Sequence, residues 1–133
     1  RLTRCGRLGV LRVRCRCRGF PPPRRRNRPM KEPLRCRAPA AATVEIDDAH
    51  VRVTRWDFEA GAETGWHRHG MAYVVVPVTD GTLLLELPGG ETATAALKAG
   101  VPYARMAGVE HNVVNAGSAP LSFVETELKH LIG

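Results

Sequence analysis

The sequence predicts an all-β domain, a sandwich or barrel of short strands, and three observations carry that prediction. Short runs rich in valine, leucine and threonine recur along residues 38–133. Turn-forming groups divide them, among them Ala60-Gly61, Asp80-Gly81, Pro88-Gly89-Gly90, Ala99-Gly100 and Gly117-Ser118-Ala119-Pro120. The spacing is short and regular, which is the mark of a sandwich or barrel rather than of alternating strands and helices.

The elements follow in order. Val44–Ile46 and Val51–Phe58 open the domain, and Thr64–His69 forms a third strand before Gly70. In Ala72–Val78, Val74, Val76 and Val78 share one face, and in Thr82–Leu87 so do Leu83, Leu85 and Leu87, giving apolar rows that a closed sheet buries. Asp80-Gly81 and Pro88-Gly89-Gly90 supply the positive φ of tight reversals. Glu91–Lys98 reads as a strand; its alanines would also suit a helix, but Gly100 and Pro102 stop a long one. Pro102–Ala104, His111–Ala116 and Leu121–Leu128 complete the set. Trp56, Phe58 and Phe123 are the large core groups, and Asn115 is expected to fix a turn. About 96 residues suffice for one small core.

Charge divides the chain at the same boundary. Residues 1–37 hold thirteen arginines and Lys31 against Glu32, a net +13, whereas residues 38–133 hold six basic and twelve acidic side chains, a net −6. The overall +7 therefore belongs to the arm, as do all four cysteines, Cys5, Cys15, Cys17 and Cys36. A domain without cysteine does not depend on disulfides and suits a reducing cytoplasm. The arm reads as a disordered extension or as sequence upstream of a natural start at Met30, ahead of an electrostatic grip on nucleic acid or a targeting segment. No nucleic-acid partner is expected for the domain. No apolar run is long enough to span a membrane.

The chemistry lies in three histidines. His67 and His69 are two positions apart, so on a strand both imidazoles project to one side. His111 begins another β-type run, placed to close the site from a neighbouring strand. Three neutral imidazoles with open positions beside them make a reactive or ligand-binding metal site rather than a closed structural one. His50 and His130 read as surface residues.

With their glycines these residues read as Gly61-x5-His67-x-His69-x4-Val74-x6-Gly81 and Gly100-x5-Met106-x-Gly108-x2-His111-x3-Asn115. That pattern resembles the two motifs of the cupin superfamily, with Val74 standing where the family has a metal-binding glutamate and Met106 where it has proline. The stretch from Thr43 to Lys129, including Gly65-Trp66-His67-Arg68-His69-Gly70, is similar to the small single-domain cupins of the BauB type, named for beta-alanine degradation. The resemblance implies a single-domain jelly-roll β-barrel, the double-stranded β-helix, over residues 38–133. It further implies a divalent transition metal, iron(II), manganese, nickel or zinc, on His67, His69 and His111, and a cytoplasmic homodimer.

Without the glutamate, three neutral ligands leave a divalent ion its full charge, which favours a small carboxylate as ligand. Tyr73, Val74, Trp56, Arg55, Phe123 and Glu125 are the candidate pocket residues. Glu125 and Glu127 are candidates to supply the missing carboxylate, and Arg55 and Arg68 to hold that of a substrate. No serine or cysteine nucleophile accompanies a histidine, which disfavours acyl-enzyme chemistry. The expected function is to act on, or bind, a small carboxylate or amino-acid-derived metabolite, with dioxygenase, isomerase and decarboxylase chemistry all open. The competing class is a non-enzymatic module that binds a small ligand.

Overall fold

The computed structural model describes residues 36–130. Its strands are β1 (Ala41–Asp47), β2 (Val51–Phe58), β3 (His67–Arg68), β4 (Tyr73–Pro77), β5 (Gly81–Glu86), β6 (Thr92–Leu97), β7 (Tyr103–Arg105), β8 (Glu110–Asn115) and β9 (Leu121–Leu128), with one 3-10 turn at Pro88–Gly90. They form two sheets, of order β1-β2-β9-β4-β7 and β3-β8-β5-β6. Every strand pair in both is antiparallel. Phe58, Val75, Leu83 and Leu121 are fully buried between the sheets. Phe58 stacks at a tilt on Phe123, with ring centroids 5.4 Å apart.

The strand expected at Glu91–Lys98 holds, and two other local expectations give way to tertiary structure. The alanines of β6 form a strand because they pair across from bulky leucines of β5, Ala95 with Leu83 and Ala93 with Leu85; packing here overrides helix propensity. Only His67 and Arg68 of the expected Thr64–His69 strand pair with β8, since Gly65 at φ 86° turns the chain just before them. Gly81 does not take positive φ. Glycine is required there for close approach, because a Cβ would stand 2.3 Å from the Leu121 side chain.

The valine row of β4 was assigned to the wrong face. Val76 and Val78 are 38% and 44% exposed, whereas Tyr73, Val75 and Pro77 are buried. With a side-chain period of two, a phase error of one residue moves a whole row across the sheet.

The readings of residues 1–35 lie outside the described residues. Arg37, however, packs on the domain: its guanidinium meets Glu63 at 3.0 Å and Glu86 at 2.8 Å. Beside it the Glu63 N–H donates to the Ala38 carbonyl, and the Ala40 N–H to the Glu63 carbonyl. The ordered contacts thus begin before residue 38. Among the described residues no helix is long and apolar enough to cross a membrane.

Candidate metal centre

Register brings the three histidines together. His67 on β3 lies directly across from His111 on β8. His69, just past β3, is held by two backbone bonds: its N–H donates to Val109 and its carbonyl accepts from Gly108. The result is a convergence of ring nitrogens, with the Nε2 atoms of His67 and His69 3.0 Å apart and those of His69 and His111 3.1 Å apart. Donors about 2.1 Å from a shared ion and at right angles to one another stand about 3.0 Å apart, so the spacing fits a single ion.

Protonation fits as well. The Gly65 carbonyl can only accept, so the His67 Nδ1, 2.9 Å away, is the donor. In the neutral ring this leaves the Nε2 lone pair facing the other two histidines. Burial, followed by the neighbouring His67, pushes His69 and His111 down to about 4, which keeps both as neutral ligands at ordinary pH.

Behind His67 stands a closed polar network. Asn112, only 3% exposed, accepts at Oδ1 from the Gly65 N–H at 2.9 Å. Its Nδ2 donates to Glu63 at 2.8 Å and Glu86 at 2.7 Å, and Arg37 bridges the same two carboxylates. Burial works to raise Glu86, but the bonds from Asn112 and Arg37 outweigh it and hold the carboxyl below its ordinary value. Thr64 completes the set, donating to the Gly65 carbonyl and accepting from the Val113 N–H. Asn115 does not touch the centre; its Nδ2 donates to the Glu59 and Ala119 carbonyls and its Oδ1 accepts from Gly117.

The histidines open onto a cavity of roughly 360 Å³ between the sheets. Most of its wall is aliphatic, from β5, β6 and β8. Besides the histidines its polar groups are few: Thr64, Tyr73, Tyr103, Arg105, Trp56 and Glu125. Of the six expected pocket residues, Tyr73, Trp56, Phe123 and Glu125 line it. Val74 and Arg55 do not. Val74 lies on the opposite face of β4 from Tyr73, which stacks on His69 with 3.9 Å between ring centroids. Arg55 lies across the pleat from Trp56 and pairs with Asp57 at 3.2 Å. Arg68 and Glu110, opposite each other on β3 and β8, are exposed.

Glu125 is 9% exposed, and its hydrogen-bonding neighbour is the Trp56 indole. Burial, and then Glu127, pushes it up to about 7; the neighbouring Trp56 indole opposes the shift without closing a well-formed bond. Burial and Glu125 together push the Tyr73 phenol up to about 12, so it stays protonated. Ligating atoms of His69, Glu125 and Glu127 lie within 4.8 Å of one another. Tyr103, a phenol that the sequence leaves free to line the site or its rim, lines the cavity. The motifs do not mark Arg105 or Asn112, although the alternation of Tyr103 and Arg105, in register with Val75 and Tyr73, is a signal for Arg105.

Comparison with known proteins places these features in context. A family model described as a cupin domain matches residues 54–127. The chain is 60% identical over 93 residues to the beta-alanine degradation protein BauB of Pseudomonas aeruginosa, an alignment covering 70% of this chain and 97% of the relative. The crystal structure of a cupin domain from Bordetella pertussis Tohama I superposes with a TM-score of 0.69 at 53% identity, covering 72% of this chain and 99% of that one. A double-stranded β-helix protein from Klebsiella pneumoniae, at 21% identity and TM-score 0.58 over 80% of this chain and 85% of its own, shares the fold.

Proposed function

The chain belongs to the cupin family, and on that premise we propose that it holds a divalent transition metal on His67, His69 and His111 and acts on a small carboxylate bound beside it. The observation that carries the reading is the meeting of three Nε2 atoms at 3.0–3.1 Å, with a tautomer at His67 that turns its lone pair inward. Manganese, iron(II), nickel and zinc all accept imidazole ligands at such spacing. Such an ion supplies Lewis acidity and open positions for an anionic ligand.

The chain's own residues do the rest. Among the described residues Arg105 is the one cation lining the cavity, and its guanidinium lies 4.8 Å from the centre of the Tyr103 ring, placed to pair with a carboxylate. The aliphatic wall from Leu83, Leu85 and Leu97 excludes water and limits the ligand to a short chain. The 60% identity to a protein named for beta-alanine degradation supports an amino-acid-derived acid as substrate. A cytoplasmic homodimer is part of the same proposal.

Elemental analysis of protein purified without chelator or immobilised nickel tests this reading. One equivalent of a divalent transition metal is expected. It should be lost in His67→Ala, His69→Ala and His111→Ala and kept in His50→Ala and His130→Ala. Wild-type protein that stays far below one equivalent after reconstitution contradicts it.

A further inference from the structure

One pair of polar groups in the cavity has no use in the metal centre. The Trp56 Nε1–H is the single buried side-chain polar atom among the described residues that lacks a hydrogen-bond partner. Beside it lies the buried Glu125 carboxyl, whose hydrogen-bonding neighbour is the Trp56 indole itself. Both line the cavity. Buried polar groups are almost always paired, and each one left unpaired is costly. Here a donor and an acceptor stand together, without closing a bond of ordinary geometry, on the wall formed by β2 and β9, next to the space in which a ligand of the metal would lie.

From this geometry we infer that Glu125 and Trp56 form a recognition pole for a hydroxyl group on a short-chain acid, whose carboxylate lies at the histidines and Arg105. The inference rests on the metal-and-carboxylate reading above and adds the identity of the second functional group. A hydroxyl both donates and accepts, so it satisfies the Glu125 carboxylate and the Trp56 N–H at once. An ammonium only donates; it would pair with Glu125 but offer the indole N–H no new acceptor. A methyl group satisfies neither. The close approach of Glu125 to His69, with ligating atoms within 4.8 Å, limits the separation of the two ends to a short chain. The protein should therefore prefer a hydroxy acid over the amino acid of the same length. The class of reaction that supplies such a ligand is one that has already removed the amine.

Titration calorimetry with nickel-loaded protein tests this, using beta-hydroxypropanoate, beta-alanine and propanoate as ligands. The hydroxy acid should bind about 10- to 100-fold more tightly than propanoate, the advantage of hydrogen bonding to a charged partner in a closed site. Beta-alanine should fall between them. Trp56→Phe and Glu125→Gln keep the shape of the wall, and each should reduce the ratio of hydroxy-acid to propanoate affinity by about tenfold. If all three acids bind alike in wild type, or if the preference survives both substitutions, the pole is overturned and the carboxylate reading stands. If none binds in the loaded protein, both readings fail.

Discussion

The two walls of the cavity are built on opposite plans. On the side of the four-stranded sheet, every polar group around His67 is paired inside the protein: Asn112 has Gly65, Glu63 and Glu86, and Arg37 closes the carboxylates. On the side of the five-stranded sheet, Trp56 and Glu125 face the cavity without well-formed partners. A satisfied network fixes geometry, which metal ligands require. An unsatisfied pair stores a preference that an arriving group can satisfy. The difference separates the part of the site made to hold an ion in place from the part made to select what joins it.

The contrast is sharpest at Asn112 and Glu125. Asn112→Ala removes the anchor of Gly65 and leaves two carboxylates short of a donor, so His67 loses its fixed tautomer and orientation. Divalent metal affinity should fall about 10- to 100-fold, and the melting temperature of the chelated protein should fall by about 5 °C or more. Arg37→Ala should give a smaller part of the same loss. Glu125→Gln should leave metal affinity within about twofold. Competition with a chromophoric chelator measures all three. Equal losses in Asn112→Ala and Glu125→Gln would erase the distinction between the walls.

A smaller effect concerns the position opposite His69. Tyr73, not Val74, faces the centre, so Tyr73→Glu places a carboxylate by the histidines and Val74→Glu places one on the far side of β4. Tyr73→Glu should tighten metal binding by about tenfold, and it should destabilise the chelated protein, because the new carboxylate is buried near Glu125 without a counter-charge. Val74→Glu should change neither by a measurable amount. A metal-affinity gain in Val74→Glu would restore the register read from the motif spacing.

That register error shows what a sequence carries. The strands from Val51 to Phe58 and from Leu121 to Leu128 were legible to the residue, because apolar alternation and flanking turns agree there. The histidine set was legible because a period of two and glycine-bounded turns place His67 and His69 together, and His111 begins a partner strand. The face of β4 was not. Tyr-Val-Val-Val-Pro has apolar residues at every position, so alternation has no phase, and only packing against β7 and β9 decides which side chains turn inward. Asn112 was hidden for a related reason. Its role depends on Glu86 and Glu63, 26 and 49 residues away, and no local pattern marks such contacts.

The smallest effect is one of pH, and it sets the two walls against each other directly. In chelated protein His69 and His111 sit at about 4, below their ordinary value of 6.5. The unfolded chain therefore binds more protons at these sites than the folded one, and the stability they contribute is full above pH 6.5 and is lost as pH falls toward 4. Glu125 has the opposite sign. Its carboxyl is raised from 4.5 to about 7, so its contribution is full below pH 4.5 and is lost as pH rises through 7. Between about pH 5 and 6.5 two histidines thus weaken the fold on acidification while one glutamate strengthens it. Glu125→Gln removes only the opposing group, so the decline in stability attributable to the site should become roughly twice as steep across that window. The variant should also be more stable than wild type at pH 7.5, where the wild-type carboxyl is largely ionised without a partner. Thermal melts in the presence of chelator from pH 5 to 7.5 measure the slope. Parallel slopes for wild type and Glu125→Gln would mean that Glu125 is hydrated in the free protein, and the polar pair would no longer distinguish the selecting wall from the holding one.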